Sequence, residues 1–259
     1  MKTNLYIKSK MILIGKLFLM SLILVLFQNC QSEKSVEEIT SLLIEEHGGE
    51  NYKHSEISFE FRGKQFNIYR NGNEFKYERV YTDTAGQNVR ELIANKGKQK
   101  FTDGVEIELD KKGENKIDGA VNSVIYFTLL PFPLADKAAI KKVISEDSIE
   151  GEEFYLLEVT FKQEGGGRDY EDRYVYWINK NSNQMEYFAY YFHVNGGGSR
   201  FRKMVNSRRV GGILFFDQIN YSSDKIDTDI ENYSSVFKEG KLEKVSEIII
   251  ENIVVKSLR

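Results

Sequence analysis

Residues 184–194 read QMEYFAYYFHV. Successive side chains of a strand point to opposite faces, which puts Met185, Tyr187, Ala189 and Tyr191 on one side and Phe188, Tyr190, Phe192 and Val194 on the other. Both faces are then apolar or aromatic. A sheet with one face in water does not tolerate this, so other parts of the chain must cover each side.

Working outward, residues 55–109 alternate with period two through Ile57/Phe59/Phe61, Phe66/Ile68, Phe75/Tyr77, Leu92/Ala94 and Val105/Ile107/Leu109. The dipeptides Asn71-Gly72, Ala85-Gly86, Lys96-Gly97 and Asp103-Gly104 separate these runs. Such dipeptides favour the positive backbone angles of hairpin turns, so the pattern predicts an antiparallel meander. Further strands are expected at 154–162, 172–178, 200–205 and 212–221, with a last pair near 230–237 and 242–255.

Two segments offer covers for the concave side. Ser35-Val36-Glu37-Glu38 is a capping-box pattern, followed by Val36, Ile39, Leu42, Leu43 and His47 at helical spacing and by the stop Gly48-Gly49. This predicts an amphipathic helix over 36–47. Asn122 to Leu134 (NSVIYFTLLPFPL) carries both prolines, Pro131 and Pro133, which break any regular strand or helix. The expectation there is a short helix ending near Leu130, an apolar corner and a second helical piece around 136–142.

The N-terminus has its own logic. Lys2, Lys8, Lys10 and Lys16 precede the uncharged apolar run Leu17 to Phe27, and no acidic residue occurs before Glu33. The run is too short to span a bilayer, which takes ~20 residues, and suits an export signal. It ends at Cys30, the only cysteine, placed where a bacterial lipobox is lipidated, although Phe27, Gln28 and Asn29 match that motif poorly. The expected organisation is a signal peptide over 1–29, a lipidated cysteine and polar tether over 30–34, and one β-rich domain over 35–259. Cys30 then anchors the domain to a membrane of the cell envelope.

Loss of the four leader lysines takes the formal net charge from −3 to −7, which disfavours nucleic acid as a partner. With no cysteine left for disulfides, stability must come from an apolar core. The 17 Phe and 15 Tyr residues supply it, because each buried ring removes ~150–250 Å² from water.

The helix ending in Glu46-His47-Gly48-Gly49, the hairpins and the proline-broken segment resemble the LolA/LppX-like lipoprotein-carrier superfamily. Within it, the chain is similar to a family of Bacteroidota lipoproteins of unknown function. That closer likeness rests on the same Glu46–Gly49 block, on Val121 to Phe127 through Leu130-Pro131, on Gln163-Glu164-Gly165-Gly166-Gly167 and on His193-Val194-Asn195-Gly196-Gly197-Gly198. The resemblance implies a mainly β (α+β) fold: a strongly bent antiparallel sheet, or incomplete β-barrel, covered by the N-terminal and proline-broken helices over an apolar cavity. It implies no catalytic residues.

The expected cavity wall comprises Phe127, Leu130, Phe132, Tyr187, Tyr191 and Phe215. If the strands beside the two triple-glycine loops are neighbours, Glu164, Arg168, Asp169, His193, Asn195 and Arg200 converge as a polar rim suited to a ligand's head. The alternative is that these glycines only make tight reversals and the charges only solvate them. His47, His54 and His193 do not sit at metal-ligand spacing, and neither loop has the Lys-Ser/Thr of a phosphate-binding loop, so no metal or cofactor is expected. The leading expectation is a non-enzymatic protein whose partner is a lipid or other amphiphile. The alternatives are an envelope scaffold with a solid core and an enzyme acting at the glycine-loop rim.

Overall fold

The computed structural model describes residues 34–164, 170–193 and 196–259. The leader, Cys30, Arg168, Asp169 and Asn195 lie outside them. The period-two region forms β1 (His54–Phe61), β2 (Lys64–Asn71), β3 (Glu74–Thr82), β4 (Asn88–Ala94), β5 (Gly97–Thr102) and β6 (Val105–Ile107), each paired antiparallel with the next. Phe59 pairs with Phe66 across β1 and β2, with their rings stacked at 5.3 Å. The second half forms β7 (Ala139–Ile149), β8 (Glu152–Phe161), β9 (Arg173–Asn179), β10 (Met185–Phe192), β11 (Gly198–Val210), β12 (Ile213–Ser222) and β13 (Glu243–Ile248), again in sequence order.

The last strand, β14 (Glu251–Ser257), leaves this second sheet and pairs with β1 of the first. Only Ile249 and Ile250 separate β13 from β14, so the chain carries one sheet directly into the other at a sharp corner. The far edges, β6 and β7, do not pair. Two antiparallel sheets joined at one corner and open at the opposite side make the incomplete barrel that the resemblance implies.

A bulge between Val205 and Arg208 helps to turn the corner, since an extra residue bends a strand. It places Asn206 at φ +52°, a conformation that asparagine tolerates better than most residues. The buried Asp217 carboxylate then gathers the pieces. It accepts from Arg208 Nη2 at 2.9 Å, from Asn206 Nδ2 at 3.1 Å and from the Ile250 backbone N–H at 3.1 Å. The β11–β12 turn lies flat on β14, where a Cβ on Gly211 (φ +55°) would come within 2.5 Å of Val255.

The first cover is α1 (Val36–His47), which buries Ile39, Leu43 and His47 against the second sheet. Gly48 ends it at φ +151° and packs so closely that a Cβ would meet Tyr52 at 3.0 Å. The second cover runs between β6 and β7: α2 (Lys111–Ile117), a π turn (Asp118–Asn122), α3 (Ser123–Thr128), and a 3₁₀ turn (Phe132–Ala135) beyond the cis Leu130–Pro131 bond. Residues 139–142, expected to be helical, instead begin β7. Asp136 accepts from the Ala138 N–H at 2.7 Å and stops the 3₁₀ turn, after which the chain pairs with β8.

The other face of the second sheet has a cover that the sequence reading took for a strand. Residues 230–238 form a 3₁₀ turn (Ile230–Asn232) and α4 (Tyr233–Lys238). Ile230, Tyr233 and Phe237 recur at helical rather than alternating spacing and pack on Trp177, Tyr187 and Phe201. The two-sided strand at 184–194 is thus covered on both sides, as its composition requires.

His47 shows how tightly α1 is seated. Its Nδ1 donates to the Leu43 carbonyl at 2.8 Å while Nε2 accepts the Met185 N–H at 3.4 Å, an arrangement that needs the neutral ring. Burial lowers its pKa from the ordinary 6.5 to about 4. The unfolded chain therefore takes up a proton first as pH falls. The stabilisation is complete above pH 6.5, declines between 6.5 and about 4, and is absent below. Its size is on the order of 3 kcal/mol. Urea denaturation across this range is expected to show a wild-type stability that drops toward pH 4, and a His47→Gln variant whose stability depends less on pH by about this amount.

Candidate functional site

The sheets curve around α3, and this helix is packed incompletely on two sides. Ser123, Val124, Phe127 and Thr128 face a corner chamber of about 220 Å³, bounded by Phe61, Phe216, Ile248 and Ile250. Asn122, Ile125, Tyr126 and Leu129, on its other side, face a larger chamber of about 790 Å³ that reaches Phe75, Tyr77, Phe132 and Phe161. Ligand pockets commonly measure roughly 300–1,000 Å³, and the larger chamber falls inside that range. The apolar stretch 122–134 is therefore a partition between two spaces rather than a lid over one.

Each chamber contains an arginine. In the larger one, Arg70 bonds the Tyr77 hydroxyl and lies 4.8 Å from the Phe132 ring, with its Nε unpartnered. Nearby, the Tyr126 hydroxyl is buried beside that of Tyr176, and burial pushes the Tyr126 pKa up to about 12.

The corner chamber is bounded by Arg202 of β11, only 7% exposed. It donates through Nη1 to Gln218 Oε1 and through Nη2 to the Tyr190 hydroxyl, both at 2.8 Å. Its guanidinium lies 4.2 Å from the Phe127 ring and 5.1 Å from that of Tyr190. All of these partners are neutral, and Nε has none. A buried donor left unpaired costs roughly 1–3 kcal/mol, which folding alone does not recover. Beside it the Asn220 Oδ1 is also buried and unpartnered.

The expected wall residues separate into three groups. Phe127 lines the corner chamber and Phe132 the larger one. Leu130 and Phe215 are buried in the packed cores behind them. Tyr187 and Tyr191 fall instead on the opposite face of the second sheet, packed with Trp177, Phe201 and α4. A register shift between Met185 and Tyr187 sets this arrangement: Met185 joins Phe188 on the inner face, while Tyr187 and Tyr191 go outward.

Of the expected rim, Glu164 is exposed in a turn. His193, 45% exposed at its side chain, lies 3.4 Å from the Asp172 carboxylate. Arg200 donates to the Ser199 carbonyl at 2.6 Å and lies against the Phe192 ring. None of the three borders either chamber. Arg202 was the residue that sequence reasoning missed. It was legible as a charge in phase with Met204, on the inner side of a strand whose neighbour β10 is apolar on both faces, and it pairs in register with Phe188. Among the described residues, no three His, Cys, Asp or Glu side chains cluster to hold a metal ion.

Residues 15–252 match a family of unknown function, DUF6503, and the chain belongs to that family. A search of curated proteins finds no match. Similar solved structures include a LolA superfamily protein from Nitrosomonas europaea, 12% identical, covering 87% of this chain and 94% of that one with a TM-score of 0.47. A DUF1329 family protein from Desulfovibrio piger is 10% identical over 85% of this chain and 91% of that one, with a TM-score of 0.35. The Mycobacterium tuberculosis lipoprotein LppX is 10% identical over 63% of this chain and 91% of that one, with a TM-score of 0.27. DUF6503 is a family of unknown function, as the sequence resemblance leads one to expect.

Uneven packing makes the two faces of the second sheet respond differently to truncation. Phe201 is fully buried in the outer cluster, and Phe201→Ala is expected to cost about 3–5 kcal/mol in urea denaturation. Phe127 borders open space, and Phe127→Ala should cost about 1–2 kcal/mol because little new cavity surface is created.

Proposed function

We propose that this member of the family holds an amphiphile, a lipid or a molecule of similar build, in the divided hollow of the bent sheet, and that its role is binding rather than catalysis. The observation that carries this reading is the larger chamber. It presents the rings of Phe75, Tyr77, Phe132 and Phe161 together with the polar groups of Lys53, Arg70, Asn73 and Asp136. A wall that mixes aromatic rings with polar and charged groups in comparable measure matches a molecule with a tail and a head. Cys30 enters the same proposal as the lipidated anchor, reached through a short polar tether, which would confine the domain to one membrane of the cell envelope. A tethered receptor of this kind suits receipt or storage of its ligand better than transport between membranes.

Two measurements test the proposal. Protein purified without detergent should carry a co-purifying amphiphile in native mass spectrometry, or take up a fluorescent lipid after delipidation. Ala135, at the border of the larger chamber, can be enlarged: Ala135→Trp should lower uptake several-fold while the circular dichroism spectrum stays unchanged. A well-folded protein that carries nothing and takes up no lipid would defeat the reading.

A further inference from the structure

The corner chamber has a chemistry of its own. We infer that Arg202 is the receptor for the carboxylate of a single-chain anionic amphiphile, whose first methylenes lie against Phe127 and Phe61. This rests on the reading of the hollow as an amphiphile site and adds a head-binding group in its smaller chamber.

Three observations lead to it. First, Arg202 is a permanently charged group taken almost wholly out of water. Its hydrogen-bond partners, Gln218 and Tyr190, satisfy two of the five guanidinium N–H donors and neutralise none of its charge. Stacking on aromatic rings compensates only part of such a loss of hydration. Second, its Nε is buried without a partner, on a residue that lines the incompletely packed side of α3. Nε and an adjacent Nη present two parallel N–H groups, the fork that carboxylates accept in bidentate fashion. Third, the space next to it is not shaped for a small anion. At about 220 Å³ it exceeds several-fold the share of one water, and it is bounded by Phe61, Val124, Phe127, Ile248 and Ile250. A headgroup satisfies the arginine and a hydrocarbon chain covers the rings.

The neighbouring amide fits this account. Asn220 donates weakly to Ser246 Oγ at 3.3 Å and leaves its other terminal atom buried and unpaired. In either orientation the carboxamide offers the ligand head one more contact, as acceptor for a protonated acid or hydroxyl or as donor to the second carboxylate oxygen.

The test compares decanoate with decan-1-ol, equal in chain and different in charge, by isothermal titration calorimetry on the delipidated protein at neutral pH. Decanoate is expected to bind about tenfold or more tightly than the alcohol, the difference that a charge-assisted hydrogen bond supplies. In an Arg202→Met variant decanoate should fall to the level of the alcohol, whose own affinity should hardly change. The thermal midpoint of this variant should stay level or rise, because a buried charge without an acidic partner has been removed. A merely structural arginine would lower the midpoint and weaken both ligands alike.

Equal binding of decanoate and decan-1-ol by the wild-type protein would overturn the inference while leaving the amphiphile reading intact. Failure of both to bind would remove both. Acetate displacing decanoate at comparable concentration would show a site for small anions and overturn the amphiphile assignment. Should Arg202→Met not fold, Arg202→Lys keeps the charge without the fork and should lose several-fold in decanoate affinity, while the wild-type comparison decides the question without any variant.

Discussion

The architecture depends on the Asp217 carboxylate at the corner between the sheets. Without a fixed corner, the strand that leaves β13 could continue in its own sheet and the hollow would not exist. Asp217 holds β11 through Arg208 and Asn206 and holds the start of β14 through the Ile250 N–H. Three donors on one buried acid make the turn a single arrangement rather than a range of bends, since without them the carboxylate would be a buried charge left unpaired. The bulge at Val205–Arg208 supplies the curvature, and the carboxylate selects which curvature is kept.

From that corner the remaining elements follow. The open edges at β6 and β7 lie at the far ends of the two sheets, and the chain between them has to cross the opening. That crossing is α2, the π turn, α3 and the proline-rich turn. Its apolar residues on one side pack on the first sheet through Ile117, Val121, Ile125 and Leu129. Leu130 and Leu134 reach the second sheet beside α1. Because a single narrow helix stands between two diverging sheets, its flanks cannot both be filled, and a chamber remains on each side.

Much of this was readable from residues alone. The alternation over 55–109 gave the meander, the capping pattern and spacing over 36–47 gave α1, and the two-sided apolar run at 184–194 required covers on both faces. Other features were not readable because they depend on distant partners. Tyr187 and Phe188 are equivalent in the sequence; which of them meets the hollow is set by the register shift beside Met185 and by where α4 docks. Residues 230–238 carry Ile230, Tyr233 and Phe237 at helical spacing, but the run is short and the helix is fixed by Trp177 and Phe201 beneath it. The glycine-loop rim drew attention through composition, whereas Arg202, an ordinary charge in an ordinary strand, is recognisable only once its depth is known.

The unpaired polar atoms bear on the proposal that the hollow binds a ligand. In the outer cluster the polar groups are matched: Trp177 Nε1 donates to Asp147 at 3.0 Å, and the Tyr233 hydroxyl meets Ser199 Oγ at 2.8 Å. Among the described residues, the buried side-chain atoms Arg70 Nε, Arg202 Nε and Asn220 Oδ1 have no partner and belong to residues that border the two chambers, while Tyr52 Oη and Ser55 Oγ are unpartnered away from them. Poor packing alone would leave apolar voids, because apolar walls need no partners. Donors and acceptors left over at the same walls are a different matter, since each carries a cost that selection for stability alone would remove. Arg202 Nε and Asn220 Oδ1 belong to residues that line the same small chamber, and that pairing is the ground for proposing a ligand's polar end there.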